Sequence, residues 1–181
     1  GRSWQAGSSE PLTMSIPVVG ESLDQAGTLE AITDALRGPG MARGTLDLLI
    51  NERVLLSAQP AMQSALATLR VAGVSITLVD FGGQTIALQR LNQVVPDRLK
   101  LHRLFVRGVA AEPERIVLAR SLIAVAQTLN ITAIADGIAS DSDAQFFKWE
   151  GCEIGQGDAL APACAPADLA EFLRHRQHLS H

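Results

Sequence analysis

Short apolar runs alternate with longer helical patterns along this 181-residue chain, and this alternation restricts the fold more than any other feature. Six apolar runs predict strands, at 12–16, 46–50, 75–79, 98–101, 132–135 and 153–155. Apolar residues that recur every three or four positions predict helices over 28–36, 61–72, 86–94, 113–129, 141–149 and 166–175. Strands separated by helices, with no hairpin turns between them, pair in parallel. The pattern therefore predicts an α/β fold, either an open doubly wound sheet or a (β/α) barrel.

The composition excludes several classes of protein. The chain is 47% hydrophobic and 19% charged, which argues against disorder, and a net charge of −4 gives no basic footprint for DNA. No apolar run approaches the ~20 residues of a membrane span, and the N-terminus lacks the pattern of a signal peptide. Two cysteines without a CxxC motif indicate neither a disulfide framework nor a zinc site. We therefore expect a cytoplasmic location.

The distribution of residue types divides the chain into three parts. Residues 1–11 are polar and rich in Gly and Ser, which predicts a linker. Residues 12–175 carry the strand and helix patterns and form the predicted domain, and residues 176–181 form a C-terminal tail. Within the domain, Trp149 is predicted to lie in the core and Cys152 to be a buried apolar residue.

Polar side chains stand at the predicted carboxyl ends of the strands. They are Ser15, Glu52, Asp80, Lys100, Asp136 and Gln156. In a (β/α) barrel these ends meet on one face, and such a set suits a divalent cation or a phosphate ligand. Polar residues also end strands simply because the chain turns into solvent there. No glycine-rich phosphate loop of the GxGxxG or GxxxxGK[ST] type occurs, so the pattern alone leaves both readings open.

Five segments, in order, resemble the motifs of EAL domains, the cyclic-di-GMP phosphodiesterase family. Residues 46–52 (Leu-Asp-Leu-Leu-Ile-Asn-Glu) resemble Leu-Glu-Leu-Glu-Ile-Thr-Glu, and residues 79–83 (Val-Asp-Phe-Gly-Gly) resemble Asp-Asp-Phe-Gly-Thr-Gly. Residues 99–106 are similar to Leu-Lys-Ile-Asp-Arg-Ser-Phe-Val, and residues 135–140 to Ala-Glu-Gly-Val-Glu-Thr. Residues 151–157 are similar to the Gly-Cys-Asp and Gln-Gly pair. Each motif alone is weak, but together they are specific.

The resemblance implies a modified (β/α) barrel of the TIM type, mostly parallel, in a bacterial signal-transduction protein. Members of the family hydrolyse cyclic-di-GMP to a linear dinucleotide with two Mg or Mn ions. By position, Glu52 and Asp80 match metal ligands. Asp136 matches a metal ligand or base, Lys100 matches the lysine that steadies the water or phosphate, and Gln156 matches a retained glutamine.

The departures from the family pattern imply that this site is degenerate. Val79 replaces the bridging aspartate, Ser15 an asparagine ligand, Ala139 a glutamate and His102 an aspartate, and no Glu-Ala-Leu tripeptide is present. Loss of the bridging acid removes the anion that holds two cations ~3.5–4 Å apart. We therefore expect the catalytic roles of Lys100 and Asp136 and the metal roles of Glu52, Asp80 and Asp136 to be vestigial.

The predicted function is that of an inactive EAL-like signalling domain without a cofactor. It would act as a cyclic-di-GMP receptor, through Asp80, Lys100, Asp136 and Gln156, or as a protein-interaction module. The alternative is an active phosphodiesterase that uses Mg or Mn.

The resemblance also implies a barrel that is incomplete at the N-terminus, since a full barrel takes ~250 residues. Exposed edges and apolar faces would then need cover from another signalling protein, an upstream domain or a second copy. A homodimer through the helices near residues 79–91 is expected, because the family pairs in that region.

Overall fold

Six parallel strands form the centre of the computed structural model, which describes residues 12–18, 27–37, 44–51, 54, 60–83, 91, 96–169 and 171–173. The strands are β1 (Met14–Pro17), β2 (Leu46–Asn51), β3 (Ser75–Phe81), β4 (Arg98–Leu101), β5 (Thr132–Asp136) and β6 (Ile154–Gln156). Each strand pairs in parallel with the next along the chain, in the order β1 to β6. The sheet curls into a half-barrel, which confirms the predicted class of fold.

Helices follow the strands as the alternation predicts. They are α1 (Thr28–Arg37), α2 (Pro60–Val71), α3 (Pro113–Thr128) and α4 (Asp141–Trp149), with 3-10 turns at Arg103–Phe105 and Val109–Ala111. Of the predicted helix 86–94, only residue 91 belongs to the described part of the chain. Of the predicted helix 166–175, residues 169 and 171–173 are helical and residues 174–175 lie outside the described part. Residues 1–11 and 176–181 lie outside it as well, so the predicted domain boundaries stay predictions.

The core lies between the convex side of the sheet and the helices. Alternate strand residues face it in register, with Leu48 beside Ile76 and Leu101 beside Ala135. Ile123 of α3 and Phe147 of α4 are buried against this layer. Because side chains alternate along a strand, the residues between these core positions face the inside of the curl, called here the concave face.

A β-bulge interrupts the alternation on β3. Leu78 pairs with Leu99, but Phe81 pairs with Leu101, so β3 carries three steps where β4 carries two. Leu78 and Phe81 are both buried on the convex side. Val79 and Asp80 therefore share one slot of the ladder, opposite Lys100. Asp80 has a φ of 60°, a left-handed conformation that aspartate tolerates better than most residues.

Strands β1 and β6 form the two edges of this six-stranded sheet. Met14 and Ile16 of β1 are exposed, although their partners Leu46 and Leu48 are buried. Among the described residues, no helix is both long and apolar enough to cross a membrane.

Candidate ligand site on the concave face

Lys100 and Gln156 meet across β5. The ammonium Nζ of Lys100 donates to Oε1 of Gln156 at 2.6 Å. Asp136 pairs in register with Gln156, so three of the predicted site residues lie on adjacent strands at their carboxyl ends. None of the ion pairs formed among the described residues involves Lys100.

The loop after β5 holds this end of the sheet in place. The backbone carbonyl of Gln156 accepts hydrogen bonds from the N–H groups of Gly137 at 2.8 Å and Ile138 at 3.0 Å. Gly137 has a φ of 93°, and a Cβ there would lie 2.9 Å from Cβ of Arg103. This close approach packs the loop that follows Asp136 against the turn that follows β4.

The bulge brings Asp80 to the same end of the sheet. Its backbone carbonyl accepts from the N–H of Gly83 at 3.0 Å, which closes the turn after β3. A Cβ on Gly82 would lie 2.8 Å from Cδ1 of Leu122, so glycine lets this turn pack on α3. The structure thus places Asp80, Lys100, Asp136 and Gln156 on one face, whereas Glu52 lies outside the described residues.

A second polar cluster lies nearer the amino ends of the strands, and the sequence analysis did not find it. The Asp47 side chain is only 3% exposed and accepts from Oγ of Ser15 at 3.0 Å and Oγ1 of Thr77 at 2.8 Å. The Arg98 guanidinium lies 3.4 Å from the same carboxylate. Ser15 therefore joins Asp47 instead of the Lys100 group. The sequence feature that could have indicated this cluster is Asp47, the single acidic residue inside the apolar run 46–50.

Apolar side chains separate the two clusters. In register, Leu49 lies beside Thr77 and Val79 lies beside Asn51, so both face the concave side. The side-chain oxygen of Asn51 accepts from the backbone N–H of Val54 at 2.9 Å, and the Asp47 oxygens are occupied as described. A two-metal centre needs several free oxygen ligands close together. The described residues do not fit that requirement, and none of them form a group of three His, Cys, Asp or Glu suited to a metal ion.

His102, Cys152 and Trp149 were also singled out from the sequence, and each lies in a different environment. Nδ1 of His102 accepts from the backbone N–H of Leu104 at 3.2 Å and so begins the first 3-10 turn. Cys152 is buried as predicted; its thiol donates to the carbonyl of Ala133 at 3.2 Å, and burial raises its pKa to about 11. The prediction for Trp149 is wrong: the side chain is 78% exposed, because Phe146 and Phe147 already fill the buried face of α4.

The curled sheet of six parallel strands, with helices on its convex side, is the fold of an EAL-type half-barrel domain. The EAL domain model matches residues 2–163, and the chain belongs to this family.

Relatives and solved structures agree with that assignment. The chain is 29% identical over 173 residues to the cyclic di-GMP phosphodiesterase NbdA of Pseudomonas aeruginosa, covering 96% of this chain and 22% of NbdA. It is 28% identical over 152 residues to the cyclic di-GMP phosphodiesterase RocR of the same organism, covering 84% of this chain and 39% of RocR. The EAL domain of Mycobacterium smegmatis DcpA superposes with a TM-score of 0.88 at 25% identity, over 96% of this chain and 78% of that one. The chain thus spans less than half the length of these two curated relatives.

Proposed function

We propose that this domain binds cyclic-di-GMP on its concave face without hydrolysing it, and so acts as a receptor in signal transduction. The observation that carries the proposal is the cation of Lys100, which is held by Gln156 at the carboxyl end of the sheet and has no ion-pair partner among the described residues. Val79 lies in the slot of the ladder opposite Lys100, and Leu49 faces the same side two strands away, so neither position supplies the oxygen ligands that a metal-dependent enzyme would need.

The two kinds of polar group suit two parts of the nucleotide. The Lys100 ammonium binds a phosphodiester as a point charge, and the Gln156 amide retains N–H donors for a second oxygen. Asp80 and Asp136 repel a phosphate but accept hydrogen bonds, so we assign them to the N–H groups of the guanine edge. Binding by these contacts needs no metal ion.

Calorimetric titration of cyclic-di-GMP, with and without Mg, tests the proposal. We expect binding in both conditions and a loss of affinity of about tenfold or more in Lys100→Ala, since a charge-assisted hydrogen bond contributes roughly 1.5–3 kcal/mol. Arg107→Ala is the matched control, because it also removes one cation but from an exposed turn. Absence of binding by the wild-type chain in either condition would overturn the proposal.

The rival activity, hydrolysis of cyclic-di-GMP with Mg or Mn, gives a separate prediction. We expect no turnover by the wild-type chain, and none by Val79→Asp, because the glutamate of the Glu-Ala-Leu tripeptide is still missing and the Ser15 hydroxyl is bonded to Asp47. Chromatography of the nucleotide products measures this directly. Turnover that disappears in Glu52→Ala would contradict the prediction and restore an enzymatic reading.

A protein-interaction role is the second candidate, favoured by exposed apolar side chains on the described surface. Leu104, Val117 and Leu118 are exposed on or near α3, and Trp149 is exposed on α4. A chain that fails to bind the nucleotide but retains specific protein association would support this candidate instead.

A further inference from the structure

The four polar residues of the concave site do not balance the charge of cyclic-di-GMP by themselves. The carboxylates of Asp80 and Asp136, set against the one ammonium of Lys100, leave the site with a net negative charge, and Gln156 is neutral. The ligand carries a negative charge on each of its two phosphodiester groups. Because like charges repel, binding without metal ions needs a further cation at this end of the sheet.

Arg103 is a basic residue that the structure places beside this site. It begins the first 3-10 turn (Arg103–Phe105), three residues after Lys100. A Cβ on Gly137 would lie 2.9 Å from Cβ of Arg103, so the arginine stem lies against the residue that directly follows Asp136. Arg103 is exposed, and its three methylene groups can carry the guanidinium toward the carboxyl ends of β4 and β5.

Hydrogen bonds within the turn fix the position from which this side chain starts. The backbone carbonyl of Arg103 accepts from the N–H groups of Val106 at 3.2 Å and Arg107 at 2.9 Å. Nδ1 of His102 accepts from the N–H of Leu104 and holds the beginning of the same turn. A side chain that starts from an ordered turn loses less conformational freedom when it binds a ligand.

The guanidinium of Arg103 has no ion-pair partner within the described part of the chain. The ion pairs formed there hold other arginines, namely Arg70, Arg98, Arg115 and Arg120. Arg107 is in none of these ion pairs either, but its carbonyl accepts from Nη1 of Arg115 at 2.6 Å, which ties it to the amino end of α3. Arg103 therefore combines an available guanidinium with a contact to the loop that follows Asp136.

We propose that Arg103 binds the second phosphodiester of cyclic-di-GMP, while Lys100 binds the first. The inference rests on the proposed function and names the residue that replaces the positive charge of metal ions. A guanidinium can pair with a phosphodiester through two parallel N–H donors, a geometry that an ammonium lacks. Arg103 thus contributes to selectivity as well as affinity, because a ligand with two phosphodiesters engages both cations and a ligand with one engages only Lys100.

Titration of two ligands in the absence of Mg tests this assignment. The ligands are cyclic-di-GMP, followed by calorimetry, and the linear dinucleotide GpG, which has one phosphodiester and whose weaker binding is measured by displacement. Arg103→Ala is expected to raise the Kd for cyclic-di-GMP by about tenfold or more and the Kd for GpG by less than about threefold. Arg103→Lys should recover part of the affinity, since it restores the charge but not the paired donors. Arg107→Ala is the matched control and should leave both constants unchanged, because it removes an exposed arginine from the next turn of the chain.

The dependence of binding on salt gives a readout that a purely structural role would not change. The Kd for cyclic-di-GMP should rise less steeply with sodium chloride in Arg103→Ala than in the wild type, and Arg103→Lys should keep the wild-type slope. Thermal unfolding without ligand should be the same for both variants, because Arg103 is exposed.

The outcomes separate this assignment from the proposed function. If the wild-type chain does not bind cyclic-di-GMP, the proposed function fails and the role of Arg103 fails with it. If the wild type binds but Arg103→Ala binds equally well, only the role of Arg103 is overturned. Equal losses of affinity for cyclic-di-GMP and GpG would also overturn it, because they would place Arg103 on a part that the two ligands share, such as a guanine base.

Discussion

Asp47 shows at the scale of one residue how the inside of the curled sheet is stabilised. Its carboxylate accepts hydrogen bonds from Ser15 and Thr77 and lies beside the Arg98 guanidinium. Asp47→Ala leaves the buried Thr77 hydroxyl and the partly buried Arg98 guanidinium without their partner, and we expect the free energy of unfolding to fall by about 2–3 kcal/mol. Denaturant titration measures the loss. Ser15→Ala, which removes one exposed donor, is the control and should cost only about 1 kcal/mol; equal losses in the two variants would contradict this account.

Cys152 gives a prediction for the dependence of stability on pH. Burial raises the pKa of its thiol from the ordinary 9.0 to about 11, so the unfolded chain loses this proton first as the pH rises. The contribution to stability is fully present below pH 9, and the free energy of unfolding should decrease between about pH 9 and pH 11. Denaturation at several pH values measures this slope. Cys152→Ala should flatten it, whereas Cys164→Ala, at an exposed thiol, should leave it unchanged.

At the scale of elements, Asp143 joins α4 to the turns that follow β4. Its buried carboxylate accepts from the backbone N–H groups of Gly108 at 3.0 Å and Ala110 at 3.3 Å. Asp143→Ala leaves two part-buried donors unpaired, and we expect thermal or chemical unfolding to show a loss of about 1–3 kcal/mol. Asp143→Asn keeps one acceptor oxygen and should lose less. Similar losses for the two variants would show that the contact is not the cause.

The elements themselves could be predicted from the sequence because their apolar spacing is regular. Strand β2 and helices α3 and α4 are each found within one residue of the predicted bounds. Strand β3 extends to Phe81 instead of residue 79, because the bulge breaks the alternation on which the prediction depended. Trp149 was misplaced for a related reason: apolar character predicts burial, yet a helix of nine residues has room for few buried aromatics on one face.

At the scale of the whole molecule, the sequence predicts the polar group at the carboxyl ends of the strands but not the Asp47 cluster nearer their amino ends. Lys100 is the next-to-last residue of the strand predicted at 98–101, and Asp136 and Gln156 directly follow the strands predicted at 132–135 and 153–155, so parallel pairing alone brings them to one end of the sheet. The Asp47 cluster depends on the register between β1, β2 and β3, which no local pattern contains. The positions of Leu49 beside Thr77 and of Val79 beside Asn51, on the concave face, are also a consequence of register.

Ligand binding should stabilise the folded chain as a unit. At a concentration of cyclic-di-GMP about 100 times its dissociation constant, the free energy of unfolding is expected to rise by about 2.7 kcal/mol. Differential scanning calorimetry, with and without nucleotide, measures the accompanying rise in Tm. Lys100→Ala should lose most of this rise, and Arg107→Ala should keep it. An equal rise in both variants would place the nucleotide away from the concave face.

The extra residue in β3 changes what a single substitution can restore. Beyond the bulge the strand is out of phase with simple alternation, so positions 79 and 80 form one adjacent pair on the inner wall. The backbone therefore places positions 79 and 80 side by side, where the family pattern has two acids and this chain has Val79 and Asp80. Deleting Val79 or Asp80 would shift Phe81, Gly82 and Gly83 by one residue along the strand, so the side chain of Phe81 would move to the other face of the sheet. No substitution could then recover the adjacent pair. A point mutation can introduce a carboxylate at residue 79, whereas no point mutation can replace the bulge that would position it.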